Sequence, residues 1–151
     1  MVVTWDFAEP PIAMRARVGE MSTRVLVRVR RWAPTCLAAL FIGSGTLHLV
    51  VPERFLPLVP GGLPARDAII IVSGVAELLC AGGLLSGARW ASPASVLLLL
   101  AVFPGNVAFA VETTADTASS RVLVAIAWAR LPLQVPLVWA ALQARASRPP
   151  Q

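Results

Sequence analysis

The chain has 151 residues, enough for one domain, and its composition is that of a membrane protein. Hydrophobic residues make up 57% and charged residues only 14% of the sequence, whereas a soluble domain carries about 25% charged residues. The net charge of +5 does not indicate nucleic-acid binding, because most of the arginines flank apolar segments, where they set membrane topology. The composition therefore predicts an integral membrane protein of the all-α class.

The first 32 residues form an Arg-rich segment ahead of the apolar region. We expect no signal peptide here, because there is no continuous apolar stretch followed by a cleavage pattern of small residues. Residues 1–20 read as a loose polar tail. In Ser22–Arg31 the spacing of Arg24, Arg28 and Arg31 places three charges on one helical face. We interpret this segment as a cytoplasmic anchor for the first span, with binding of anionic lipid headgroups as the smaller alternative.

Four apolar segments follow, at about 33–51, 67–86, 91–111 and 121–143, and a short tail covers 144–151. Their lengths suit the roughly 20 residues that a membrane-spanning helix needs. Residues 33–143 are therefore predicted to form a four-helix membrane bundle. The proline-rich loop 52–64 between the first two spans is too apolar to be freely solvated, so we expect a stiff cap over the bundle mouth.

Arginine distribution predicts the orientation. Four spans place the N-terminal tail, the turn around Arg89 and the C-terminal tail on one side, and from Met14 onward these hold nine arginines. The other side holds Arg54, Arg66 and Arg121. The positive-inside rule then puts both termini in the cytoplasm.

Two charges lie inside apolar spans. Arg130 interrupts a span that contains ten Leu, Ile or Val residues, and one central Arg costs about 2.5 to 3.5 kcal/mol of insertion free energy. Glu77 is the carboxylate inside another span, and counting helical rise places both charges roughly 14–15 Å deep. An intramembrane charge needs a partner. We therefore predict a buried ion pair between Glu77 and Arg130.

Further polar groups are expected in the outer half of the bundle. His48, Asn106, Arg130 and Gln134 could donate hydrogen bonds to a small molecule such as a quinone headgroup, or could guide protons. The alternative is that these groups bind the helices to one another and no ligand is held. No metal site is predicted. Cys36 and Cys80 have no CxxC spacing, so we expect isolated, apolar cysteines.

Several motifs together resemble the DoxX-like family of small four-helix bacterial membrane proteins. They occur in the family's order and cover about Gly43 to Ala140. The motifs are GTLH and PERF, then LVPGGLP, VSGVAELLCAGGLL, AVFPGNVAFA and RLPLQVPLVWA.

This resemblance implies a four-helix bundle in the bacterial inner membrane. It also implies a redox-associated membrane subunit or a quinone-contacting partner of an oxidoreductase system, with a partner subunit supplying the catalytic chemistry. Because the chain has no cofactor-ligating cluster, we expect no enzymatic activity from it alone. A scaffolding protein without ligand, or a small proton or solute conduit, are the alternative functions. The matched positions that carry the family's site are His48, Glu77, Asn106, Arg130 and Gln134.

The predicted orientation can be tested with reporter fusions. Fusions after Gln151 and in the Gly87–Trp90 turn should report the cytoplasm, and a fusion within 112–120 should report the periplasm, because arginines are retained on the cytoplasmic side. A periplasmic C-terminus would contradict the four-span bundle.

Overall fold

A computed structural model of the chain describes residues 12–59 and 62–146. Within these residues there are four α-helices and one 3-10 helix, so the predicted all-α, four-helix class is confirmed. The 3-10 helix is called the cap helix below. The bounds are α1 Ile12–Val50, the cap helix Pro52–Leu58, α2 Arg66–Ser86, α3 Ala91–Ala115 and α4 Arg121–Ala146.

Each α-helix is long and apolar enough to cross a membrane, which makes the chain a multi-pass membrane protein. The candidate spans are Thr23–Val50, Arg66–Ser86, Ala91–Ala115 and Arg121–Ala144. Large aliphatic side chains cover the outward faces; Leu97 is 70% and Val135 is 74% exposed. Such faces would be unfavourable in water but match the hydrocarbon of a bilayer.

Helix α1 differs from the sequence-based expectation. The loose tail was expected to reach residue 20 and the first span to begin near residue 33, but a single helix of 39 residues begins at Ile12. Between Ile12 and Trp32 the chain has no proline and is rich in Arg, which is a good helix former. The basic anchor is therefore the first half of α1. The remainder of the expected tail, 1–11, and the C-terminal residues 147–151 lie outside the described residues.

The four helices pack mainly as two antiparallel hairpins. Helix α1 contacts α2 most extensively, and α3 contacts α4; the α1–α4 and α2–α3 contacts are smaller, so α2 and α4 are diagonal neighbours. One buried cluster, around Leu37, Phe41 and Ala81, fills the half nearer the N-terminus of α1. A smaller cluster, around Ala110 and Ala127, fills the opposite half, where Leu58 of the cap helix packs against it.

Two glycines allow α1 and α2 to approach closely. A Cβ atom on Gly45 would lie 2.7 Å from the Gly74 carbonyl oxygen and 3.2 Å from the Glu77 Cβ. A Cβ atom on Gly74 would lie 2.7 Å from the His48 Cβ. Small residues at helix crossings are the usual means of tight packing in membranes, where apolar side chains gain little from leaving lipid. This contact determines which side chains of α1 and α2 face each other.

The two ends of the bundle have different chemistry. The end that contains the first half of α1, the α2–α3 turn and the end of α4 is called the Arg-rich end. Trp32, Trp90 and Trp139 all lie exposed there, as expected for tryptophans at a membrane interface. The Arg30 Nε donates to the Gln143 Oε1 at 2.8 Å and ties α1 to α4 at this end.

The α3–α4 turn at the opposite end is held by one acidic side chain. The Asp116 carboxylate accepts hydrogen bonds from the Ala118 N–H at 3.0 Å and from the Ser119 hydroxyl at 2.9 Å. Because both bonds favour the ionised form, they hold the pKa of Asp116 below its usual value. The turn therefore retains its negative charge into mildly acidic conditions.

The tight α1–α2 crossing predicts unequal costs for chemically identical substitutions. Gly74→Ala should destabilise the bundle by about 1–3 kcal/mol, since the new methyl group overlaps α1. Gly82→Ala, on the same helix, has nothing within 4 Å of the added Cβ. It should be neutral or slightly stabilising, because alanine favours a helix.

Unfolding in detergent, followed by circular dichroism, measures both changes. Gly45→Ala and Gly43→Ala form a second matched pair on α1, since only Gly45 faces α2 closely. Equal effects within each pair would show that the crossing is not tightly packed.

Candidate functional site

His48 lies in the last turn of α1, at the end opposite the Arg-rich end. Its Nδ1 is 2.8 Å from the Ser44 backbone oxygen. A carbonyl oxygen only accepts, so the Nδ1 carries the proton and donates this bond. The ring stacks on Phe55 of the cap helix with 3.9 Å between ring centroids and an interplanar angle of 25°. The Nε2 forms no hydrogen bond with the described residues.

Glu77 lies beside His48 rather than beside Arg130. Its carboxyl group is buried, and its Oε2 is 3.8 Å from the His48 Nδ1, with the Ser44 side chain also adjacent. This oxygen has no hydrogen-bond partner within the described residues. An isolated buried carboxylate is costly, so Glu77 at this position needs either a proton or a positive group beside it.

The predicted ion pair between Glu77 and Arg130 is not formed in this structure. Within the described residues, Arg130 makes neither an ion pair nor a hydrogen bond, and Glu77 faces α1 instead. The physical reason is the order of the helices. Glu77 is on α2 and Arg130 is on α4, and these helices are diagonal neighbours, so equal depth does not bring their side chains together.

Side-chain direction explains why His48 reaches Glu77. Gly74 faces both Gly45 and His48, which places Glu77 about one turn of α2 from the level of His48. Side chains tilt toward the N-terminus of their own helix. Because α1 and α2 are antiparallel, His48 tilts into the bundle and Glu77 tilts outward, so the two groups converge.

Asn106 and Arg130 lie at the same level of the α3–α4 hairpin. The Trp128 Nε1 donates to the Thr114 hydroxyl at 2.9 Å, and the Gln134 amide donates to the Leu99 carbonyl oxygen. These two bonds fix the register of α3 against α4. Asn106 and Arg130 lie between the two bonded pairs, and by helical rise they are opposite each other. Both are half-buried and continue the inward stripes of their helices. Neither makes a hydrogen bond or an ion pair within the residues described by the structure.

Gln134 has a different environment from the other candidates. It is buried, and its amide donates to the backbone oxygen of Leu99 on the neighbouring helix. This bond joins α3 to α4, which matches the alternative of hydrogen bonding between helices rather than ligand binding. The Gln134 amide thus joins two helices, whereas Asn106 and Arg130 form no hydrogen bond with the described residues.

The cap helix is held over this end of the bundle by contacts that sequence reasoning missed. The Arg66 guanidinium donates to the backbone oxygens of Leu56 and Val59. The Leu58 oxygen lies 2.8 Å from where a Cβ on Gly105 would be, so the cap also rests directly on α3. The sequence contained one signal for this contact. Arg66 is a cation in the first turn of a helix, where acidic residues are favoured, so a specific partner for its charge could be expected.

Two open grooves of the described surface lie at the Arg-rich end, away from these candidate residues. No three His, Cys, Asp or Glu side chains of the described chain converge to hold a metal ion. Cys80 is buried and Cys36 is exposed, and both are free thiols. The site is thus made of two pairs, His48 with Glu77 and Asn106 with Arg130, on opposite hairpins.

A pair of double-mutant cycles tests this pairing. His48→Gln and Glu77→Gln should show a coupling energy of about 0.5–3 kcal/mol in the free energy of unfolding, because the two groups share one environment. Arg130→Gln and Glu77→Gln should be additive within about 0.5 kcal/mol. The opposite pattern, with Glu77 coupled to Arg130 and not to His48, would overturn the assignment.

Comparison with known protein families gives one match. Residues 37–145 match the family model described as "Domain of unknown function (DUF8561)". The matched region contains all five candidate residues and begins after the arginines of the first half of α1. Neither the curated proteins nor the solved structures contain a match to the chain. Because the family model covers most of its length, the chain belongs to the DUF8561 family of domains of unknown function.

Proposed function

We propose that this protein is a redox-associated membrane subunit that contacts a quinone headgroup at the capped end of the bundle. The family description assigns no activity, so the proposal depends on the chemistry of the site and on the resemblance to DoxX-like proteins. An oxidoreductase partner would supply the electrons, and this chain would position the headgroup and supply protons.

The unused donors of Asn106 and Arg130 are the observation that carries the proposal. Donors that only join helices are satisfied by other protein groups, as the amide of Gln134 is. Quinone carbonyl oxygens accept hydrogen bonds, and an amide with a guanidinium at one level offers donors to them. A few placed polar groups among apolar side chains are the usual means of orienting a small molecule.

The His48–Glu77 pair adds a proton site on the adjoining hairpin. Reduction of a quinone to a quinol takes up two electrons and two protons, so a headgroup site benefits from a group that exchanges protons. In this proposal a protonated Glu77 releases a proton and the His48 Nε2 accepts one, and the cap helix covers the two residues through Phe55. The role of the pair is to deliver protons to the headgroup and to be reprotonated from the membrane surface.

The proposed location is the bacterial inner membrane with both termini in the cytoplasm. The arginine distribution supports this orientation, because arginine is retained on the cytoplasmic side. The capped site would then face the outer leaflet.

A scaffolding role without ligand is the second candidate, and it is favoured by specific contacts. The bonds Gln134 to Leu99, Trp128 to Thr114 and Arg30 to Gln143 all join one helix to another. In that case the donors of Asn106 and Arg130 would bind water rather than a ligand.

Thermal unfolding with a quinone analogue separates the two candidates. The analogue should stabilise the wild-type protein by about 2.7 kcal/mol when present at a hundred times its dissociation constant. Asn106→Leu should abolish this stabilisation with little change in the unliganded melting temperature, because the Asn106 amide makes no hydrogen bond with the described residues.

Gln134→Leu is the matched control. It removes a buried amide that joins two helices, so it should lower the unliganded melting temperature and leave the ligand-induced shift intact. If no quinone analogue raises the wild-type melting temperature, or if Asn106→Leu itself unfolds the protein, the scaffolding role replaces the quinone proposal.

A further inference from the structure

The Arg-rich end carries an apolar groove between α1 and α4. Its volume is about 570 Å³, and its lining includes Arg28, Trp32, Cys36, Leu40, Leu137 and Ala140. From Trp32 to Leu40 the apolar part of the groove covers a rise of eight residues along α1, roughly 12 Å. One leaflet of the hydrocarbon core is about 15 Å thick. The apolar part of the groove therefore covers most of the depth of a single leaflet.

Its mouth is basic. A second groove of about 360 Å³ adjoins it and is lined by Arg24, Arg28, Arg31 and Trp32 among others. Across the described part of the chain, Arg28 and Arg31 form neither hydrogen bonds nor ion pairs. Arg24 has a long, exposed contact of 3.8 Å with Glu20. Guanidinium groups bind phosphate through paired hydrogen bonds, so this mouth offers at least two unused phosphate-binding groups.

Trp32 aligns the two grooves with the membrane. It is 58% exposed and lies where the basic half of α1 meets the apolar half. Tryptophan favours the level of the lipid headgroups, which places Arg28 and Arg31 at the phosphates and Cys36 and Leu40 among the acyl chains. Charge and polarity along the groove thus change in the same order as they do along a phospholipid.

We propose that this groove binds one anionic phospholipid. Arg28 and Arg31 hold its phosphate, and one acyl chain lies along Trp32, Cys36 and Leu40 against Leu137 of α4. The site is at the opposite end of the bundle from the capped site and is independent of the quinone proposal.

Native mass spectrometry of the full chain, released from nanodiscs of equal phosphatidylglycerol and phosphatidylcholine, tests the proposal. The wild type should retain one phosphatidylglycerol in preference to phosphatidylcholine. Arg28→Gln combined with Arg31→Gln should reduce this retention roughly tenfold or more, because each basic residue near an anionic lipid contributes about a factor of five. Arg28→Lys with Arg31→Lys should retain part of the preference.

Arg89→Gln is the charge control, since Arg89 is exposed at the same end but does not line the groove. It should leave retention unchanged; an equal loss in this variant would show a general surface-charge effect and overturn the proposal. Arg28 and Arg31 both lie at exposed positions of α1, so their substitutions are not expected to unfold the protein. Circular dichroism verifies that the variants are folded.

Cys36→Phe fills the groove and should displace the lipid while the basic mouth is intact. Leu97→Phe, on the exposed face of α3, is its control. Retention of lipid in Cys36→Phe at the wild-type level would overturn the acyl-chain assignment. A dimer in the wild type that disappears in Cys36→Phe would show that a second copy occupies the groove, which would also overturn it.

Discussion

The close crossing of α1 and α2 at Gly45 and Gly74 is the contact on which the candidate site depends. With no side chain between the two backbones, His48 and Glu77 approach to 3.8 Å, and the end of α1 lies directly under the cap helix. A methyl group at either glycine would separate the helices at that level. Close backbone packing here determines which polar groups meet, in a solvent that offers them no alternative partner.

The polar groups of the bundle divide into those that are satisfied by protein and those that are not. Arg30, Gln134 and Trp128 each bond to a neighbouring helix, and Arg66 bonds to the cap. Asn106 and Arg130, on the inward faces of α3 and α4, form no such bond with the described residues. A bundle held by helix contacts alone gains nothing from leaving a guanidinium without a partner at this depth. Unpaired donors at the capped end are expected of a ligand-binding site and are not expected of a bundle that is held by helix contacts alone.

Sequence patterns predicted where the helices lie along the chain, but not which side chains of different helices contact each other. Span boundaries for α2 agreed within one residue, because apolar length and turn residues define them locally. The pairing of Glu77 with Arg130 does not form because α2 and α4 lie diagonally across the bundle, and this placement is a property of the packed helices. The side-chain tilt that brings Glu77 to His48 also requires α1 and α2 to be antiparallel neighbours. The stacking of Phe55 on His48 likewise depends on how the loop folds back. The start of α1 at Ile12 could have been predicted from the sequence, because no proline interrupts the chain between Ile12 and Trp32.

The unequal burial of the two cysteines has a practical consequence. Cys80 lies inside the bundle, whereas Cys36 opens onto the α1–α4 groove. The wild-type chain therefore presents a single thiol from the described region to a lipid-soluble probe. A lipid in the groove would cover this thiol, so the rate at which Cys36 reacts with such a probe reports whether the groove is occupied, without any mutagenesis. The thiol is thus a natural chemical reporter for the lipid-facing surface between the first and last helices.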